Sequence, residues 1–257
     1  MLGAIFGDIT GSIYEHSNIK TTDFIFFNEH SRFTDDTVMT IATMDALLGN
    51  IGFPEAYRKW YARYPDAGYG SLFKKWAEDP KMLGYNSFGN GSAMRVSPVG
   101  LWYKTLEDTL RVARESAIAS HDHREAIKGA QAIAASIFLA REKKDKIYIK
   151  EYIAVHFGYM LTESVESIRN WYRFDVSCQG SVPQAITCFL ESTDFEDAIR
   201  KSISIGGDSD TIGCMTGAIA EAYYGIDEVL VDQLKGKLTN EMILILDEFY
   251  ERRWSHE

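Results

Sequence analysis

Cysteine is scarce in this 257-residue chain: there are three, Cys178, Cys188 and Cys214, with no CxxC spacing. An odd, scattered set excludes a disulfide framework and a structural zinc site as organising devices. Basic residues are in deficit, 27 against 37 acidic, for a formal net charge of −10. No Lys/Arg run offsets that balance, because the densest stretch, Arg141 to Lys146, is interrupted by Glu142 and Asp145. General nucleic-acid binding is therefore not expected. Long apolar runs are also missing. The first residues are apolar, but Asp8 interrupts them and no basic leader precedes them. Neither a signal peptide nor a membrane span is expected, and a cytoplasmic monomer is. Prolines number only five, which suits helices joined by tight connections.

What is present is ordinary globular composition, 46% hydrophobic and 25% charged, with helical periodicity throughout. Ala126, Ala130, Ile133 and Ile137 share one face, as do Ile212, Met215, Ile219 and Tyr223, and Leu238, Met242, Ile245 and Phe249. Further helices are expected over 36–48, 54–63, 106–119, 148–160 and 182–191. Only Asp23 to Phe27 reads as a strand. The expectation is an all-α fold, one domain over residues 1–257. Glycine interrupts the pattern beside polar residues, at Gly7 and Gly11, at Gly84, Gly89 and Gly91, and at Gly206-Gly207.

Two acidic clusters sit at helix starts. Thr34-Asp35-Asp36-Thr37 precedes one apolar-periodic segment and Asp208-Ser209-Asp210-Thr211 another. A helix N-cap needs one such residue. Two carboxylates at one helix start repel each other unless a cation compensates. The helix N-terminus favours the ionised form, and hard oxygen donors without His or Cys select Mg²⁺ or Mn²⁺ over Zn²⁺. Two such ions about 3.5–4 Å apart would activate a shared water. Asp8 and Glu15, seven residues apart, would lie on one side of a helix running through both.

The stretch Tyr85 to Arg95, YNSFGNGSAMR, is the least ordinary. Glycines around Asn90 let backbone N–H groups approach an anion such as a diphosphate, and Asn86, Ser87 and Asn90 offer hydrogen bonds for ribose hydroxyls. The reading of an ordered turn before a helix weighs equally on these residues alone.

Taken together, GDITGSIYE (7–15), FTDDTVMT (33–40), SFGNGSAMRVSPVG (87–100), SHDH (120–123), SVPQAI (181–186) and SIGGDSDTIGCMTGAIAEAYYG (204–225) resemble the ADP-ribosylglycohydrolase family, including its dinitrogenase reductase-activating type. The resemblance implies a single-domain orthogonal helical bundle with two Mg²⁺ or Mn²⁺ ions in a cleft. It implies metal ligands at Thr34, Asp35, Asp36, Asp208, Asp210 and Thr211, and catalytic roles for Glu15, Asp35 and Asp36. Ser87, Phe88, Gly89, Asn90 and Gly91 match the loop on the diphosphate and ribose. His121 matches a histidine near the phosphates, and the stretch from Phe174 to Ser181 stands where the family builds its adenosine wall. The implied substrate is an ADP-ribosylated protein or a small ADP-ribose conjugate. Two rivals stand beside this reading: a helical phosphohydrolase built on His121-Asp122 with His30 and Asp208, and an inactive ADP-ribose-binding relative.

Overall fold

The computed structural model describes residues 1–49 and 51–255, and their regular structure is helical apart from one isolated bridge, Gly89 with Ser177. The first seven helices are α1 (Leu2–Gly11), α2 (Asp35–Gly49), α3 (Phe53–Arg63), α4 (Ser71–Glu78), α5 (Gly91–Met94), α6 (Ser97–Trp102) and α7 (Leu106–Ile118). There follow α8 (Arg124–Arg141), α9 (Lys146–Phe157), α10 (Val165–Trp171) and α11 (Cys178–Leu190). The last four are α12 (Phe195–Ser204), α13 (Ser209–Tyr224), α14 (Glu228–Lys235) and α15 (Asn240–Ser255). The helix expected over 148–160 ends early, as α9, because Gly158 takes a left-handed φ of 68° and closes it. The helix expected over 182–191 starts earlier, as α11, because the Ser177 hydroxyl caps it by accepting from Gly180 N.

Two expectations fail. No strand forms over Asp23 to Phe27. With no neighbouring strand to share a ladder, Phe26 and Phe27 instead pack on Phe6, ring centroids 5.1 and 4.7 Å away. Nor does one helix carry both Asp8 and Glu15. α1 stops at Gly11, and Glu15 lies in the turn that follows it.

α1 is buried from Gly3 to Gly11, so it behaves as a core helix rather than an amphipathic one. Its principal partner is α13, and glycine sets how close they come. A Cβ on Gly7 would stand 2.0 Å from the Gly213 carbonyl oxygen, and one on Gly3 2.2 Å from that of Gly217. One turn further along, a Cβ on Gly11 would stand 2.4 Å from the Asp210 Cα. This four-residue repeat of glycine lets two backbones touch. Around the pair, α8, α11 and α12 pack on α13 while α2 packs on α1, and the buried apolar side chains form one contiguous core.

Candidate active site

The close contact of α1 with α13 has a chemical result: it brings Asp8, fully buried inside α1, against the start of α13. The N-terminus of α2 arrives at the same place. Carboxylate oxygens of Asp8, Asp36 and Asp210 lie within 4.8 Å of one another, and so do those of Glu15, Asp208 and Asp210. Asp210 belongs to both groups.

Helix capping does not account for these acids. Elsewhere in the chain the cap side chains of Thr105, Asp145, Ser164, Ser177, Asp194 and Asp227 each accept from a helix backbone N–H. Asp208, at the cap position of α13, makes no such bond. Its carboxylate accepts from the side-chain amide of Asn90 at 2.6 Å. The turn before it is left-handed at both Gly206 (φ 69°) and Gly207 (φ 77°), backbone angles that glycine takes without strain. At α2 the cap role falls to Thr34, whose Oγ1 accepts from Asp36 N at 3.2 Å, and Asp35 and Asp36 are left for other work.

Threonines wrap Asp8. It accepts from Thr34 N (3.0 Å), Thr34 Oγ1 (2.7 Å), Thr37 N (3.0 Å) and the Thr37 hydroxyl. Asp36 Oδ2 accepts from Thr211 Oγ1 at 3.1 Å, but the buried Asp36 Oδ1 has no partner. Among the described residues, no Lys or Arg forms an ion pair with Asp8, Asp35, Asp36, Asp208 or Asp210. Burial pushes Asp8 and Asp208 up to about 6, although hydrogen bonds oppose the shift. Burial, then the charge of Asp8, raises Asp35 to about 8. Asp36 and Asp210 are raised too, from burial first and then from Asp8 and Asp208 respectively. A protein alone would keep some of these acids protonated. Oxygen-only donors, an orphaned buried carboxylate oxygen and uncompensated negative charge fit a hard divalent cation.

The acids floor a cleft of about 530 Å³. Thr34, Asp35, Asp36, Asp208, Asp210 and Thr211 all line it, with Glu15, Ser87, Gly89, Asn90, Gly91 and His121. Asp35 stands on its wall, half-buried and outside both three-carboxylate groups. Phe88 does not line the cleft; its ring is half exposed and meets His123 edge-on at 5.6 Å. The glycine loop is also less open than its sequence suggests. Gly89 N donates to Ser87 Oγ (3.1 Å) and Asn90 N to the Val176 carbonyl (2.8 Å), because the loop pairs with residues 176–178. Asn90, whose side chain holds Asp208 and Ser181 Oγ, is thus committed to the acidic floor.

Sequence reasoning missed four contributors. Asp8 reads from the sequence only as a neighbour of Glu15 on one helix face, with no ligand role. The segment 66–73, including Tyr69 with its buried, unpartnered hydroxyl, forms a cleft wall. Arg95 lines the cleft while fully buried. Asn18 ties the turn carrying Glu15 to the turn carrying Asp208: its amide donates to Tyr14 O (2.7 Å), Glu15 O (3.0 Å) and Gly207 O (2.9 Å), and accepts from Gly207 N (2.7 Å). The alternative His-Asp constellation is not assembled. Asp122 is exposed and spends its carboxylate on Asn86 N, and neither it nor His30 lines the cleft.

The family model described as ADP-ribosylglycohydrolase matches residues 1–256. The chain is 28% identical over 309 aligned positions to ADP-ribosylhydrolase ARH3 of Homo sapiens, covering 89% of this chain and 85% of that protein. It is likewise 28% identical over 232 positions to an uncharacterized protein of Archaeoglobus fulgidus, covering 79% and 76%. A solved structure titled ADP-ribosylglycohydrolase-related protein complex shares the fold, with a TM-score of 0.66 at 24% identity over 98% of this chain and 93% of that one.

Proposed function

Since the chain belongs to the ADP-ribosylglycohydrolase family and is a glycosyl hydrolase, we propose that it uses two divalent cations, Mg²⁺ or Mn²⁺, to cleave the glycosidic bond joining ADP-ribose to a protein side chain or small acceptor. The observation that carries this reading is the double membership of Asp210. One carboxylate common to two acidic groups, with Asp36 Oδ1 buried and unpartnered beside it, is what a bridged pair of cations requires. Asp8, Asp36 and Asp210 would hold one ion, and Glu15, Asp208 and Asp210 the other, with Thr34, Asp35 and Thr211 close enough to complete the oxygen set. When bound, the cations supply Lewis acidity and positive charge at the floor of the cleft.

The protein does the rest. The acidic floor receives the distal ribose and tolerates positive charge developing at its anomeric carbon. Glu15, 28% exposed at the mouth of the floor, transfers the proton that bond cleavage needs. Ser87, Gly89, Gly91 and His121 face the diphosphate, and Val176 lies where the adenosine leaves the cleft. A panel of ADP-ribose conjugates on arginine, serine and small acyl acceptors, assayed with Mg²⁺, Mn²⁺ and chelator, tests the reading. Cation-dependent release of free ADP-ribose is expected; turnover that persists in chelator would refute it.

A further inference from the structure

Behind the glycine loop lies a buried chain of polar groups whose protons can be assigned by counting. Arg95 is fully buried and, among the described residues, no carboxylate pairs with it. Its guanidinium stacks on the Tyr57 ring at 4.0 Å. Its Nη2 spends both protons, on the Ser116 carbonyl and on Ser120 Oγ, each at 2.9 Å. Ser120, also fully buried, lies 2.8 Å from His121 Nδ1. An arginine only donates, so Ser120 Oγ accepts from it. The serine proton then needs an acceptor of its own; the Tyr85 hydroxyl also neighbours Ser120, but Nδ1 at 2.8 Å supplies the short contact. A histidine that accepts at Nδ1 carries its proton at Nε2.

That second nitrogen faces the cleft. Among the described residues its one hydrogen-bonding neighbour is the Tyr85 hydroxyl, at a weak 3.5 Å. A Cβ on Gly91 would stand 2.9 Å from it, so the glycine at 91 keeps the ring edge uncovered. We infer that Arg95 and Ser120 are positioning residues that fix His121 as a neutral Nε2–H donor to a phosphate oxygen of the substrate, polarised by a buried cation two hydrogen bonds behind it. Linked donors strengthen one another where the local dielectric is low. The neutrality is consistent with a His121 pKa held well below the usual value by burial and then by Arg95. The inference rests on the ADP-ribose reading only for the identity of the anion.

The test uses ¹⁵N-histidine-labelled protein, in which long-range ¹H–¹⁵N correlations separate the tautomers, with His121→Gln to identify the signal. The expected result is the Nε2–H form in the free protein and a mixture of tautomers in Ser120→Ala. Ser120→Thr, which keeps the hydroxyl, restores the single form. In parallel, Ser120→Ala should weaken ADP-ribose binding about tenfold, the size of one hydrogen bond to a charged group, and leave adenosine binding unchanged. An Nδ1–H tautomer in the parent overturns the inference, as does equal weakening for ADP-ribose and adenosine. Failure of the parent to bind ADP-ribose at all overturns the proposed function instead, while the tautomer still reports on the relay.

Discussion

The side-chain amide of Asn90 donates to Asp208 Oδ2 at 2.6 Å, across 118 positions of sequence. That bond turns the carboxylate away from the helix it would have capped and aims it into the cleft. It also explains why a loop that reads as a ligand-binding turn is bound into the acidic floor.

Asp210 lies in both carboxylate groups, so its loss should remove both cations together. Asp210→Ala is expected to lose hydrolysis completely and to bind no Mn²⁺ tightly, while the cation-free variant melts no lower than the parent. Calorimetric Mn²⁺ titration beside a melting curve checks this. Retained turnover with bound metal would remove the mechanism.

Stability should depend on pH in an unusual direction when no cation is present. Asp8, Asp208 and Asp35 titrate at about 6, 6 and 8 in the folded chain, against 3.8 ordinarily. Between those values the folded state holds more protons than the unfolded one, so stability falls as pH rises through the window. His121, kept neutral, acts in the opposite sense below its usual 6.5, but as one group against five carboxyls. In chelator the melting temperature should be higher at about pH 5 than at about pH 8, and Mn²⁺ should restore more at the higher pH.

The glycine seam between α1 and α13 admits no side chain. Gly7→Ala puts a methyl group 2.0 Å from a backbone oxygen of Gly213, where no flexible atom can yield. A loss of about 3 kcal/mol in unfolding free energy is expected, at the upper end of overpacking costs, together with weaker Mn²⁺ binding as Asp8 retreats from Asp210. Denaturant unfolding measures the first. A variant as stable as the parent would show that the seam is looser than described.

Asn18 lies outside the cleft lining yet fastens two turns that hold Glu15 and Asp208. Asn18→Ala should weaken one of two Mn²⁺ sites about 10–100-fold, the usual effect of removing an outer support. Combined with Glu15→Gln, the two losses should not add. Additive losses would mean that Asn18 serves some other part of the fold.

How much of this was readable beforehand depends on range. Asp35-Asp36 and Asp208-x-Asp210 declare themselves because a helix start is a local event, set by four or five neighbouring residues. The long amphipathic helices were legible for the same reason. The place of Asp8 beside Asp36 and Asp210 was not, since it is fixed by Gly7 meeting Gly213, a contact between two segments that look merely glycine-containing. The commitment of the Asn90 backbone N–H was hidden likewise, because the Val176 carbonyl consumes it from another part of the chain. Phe24, Phe26 and Phe27 show the converse error: strand-like composition without a neighbouring strand.

The seating of α1 on α13 also sets a clock. Asp8 and Asp210 stand 202 positions apart in the chain (210 − 8), and at about 5–20 residues per second a ribosome makes them on the order of 10–40 s apart. Until α13 has emerged, neither three-carboxylate group is complete, because both contain Asp210. On the proposed two-cation reading, a complete site for loading therefore exists only after α13 is translated, and the earlier steps of folding proceed without it.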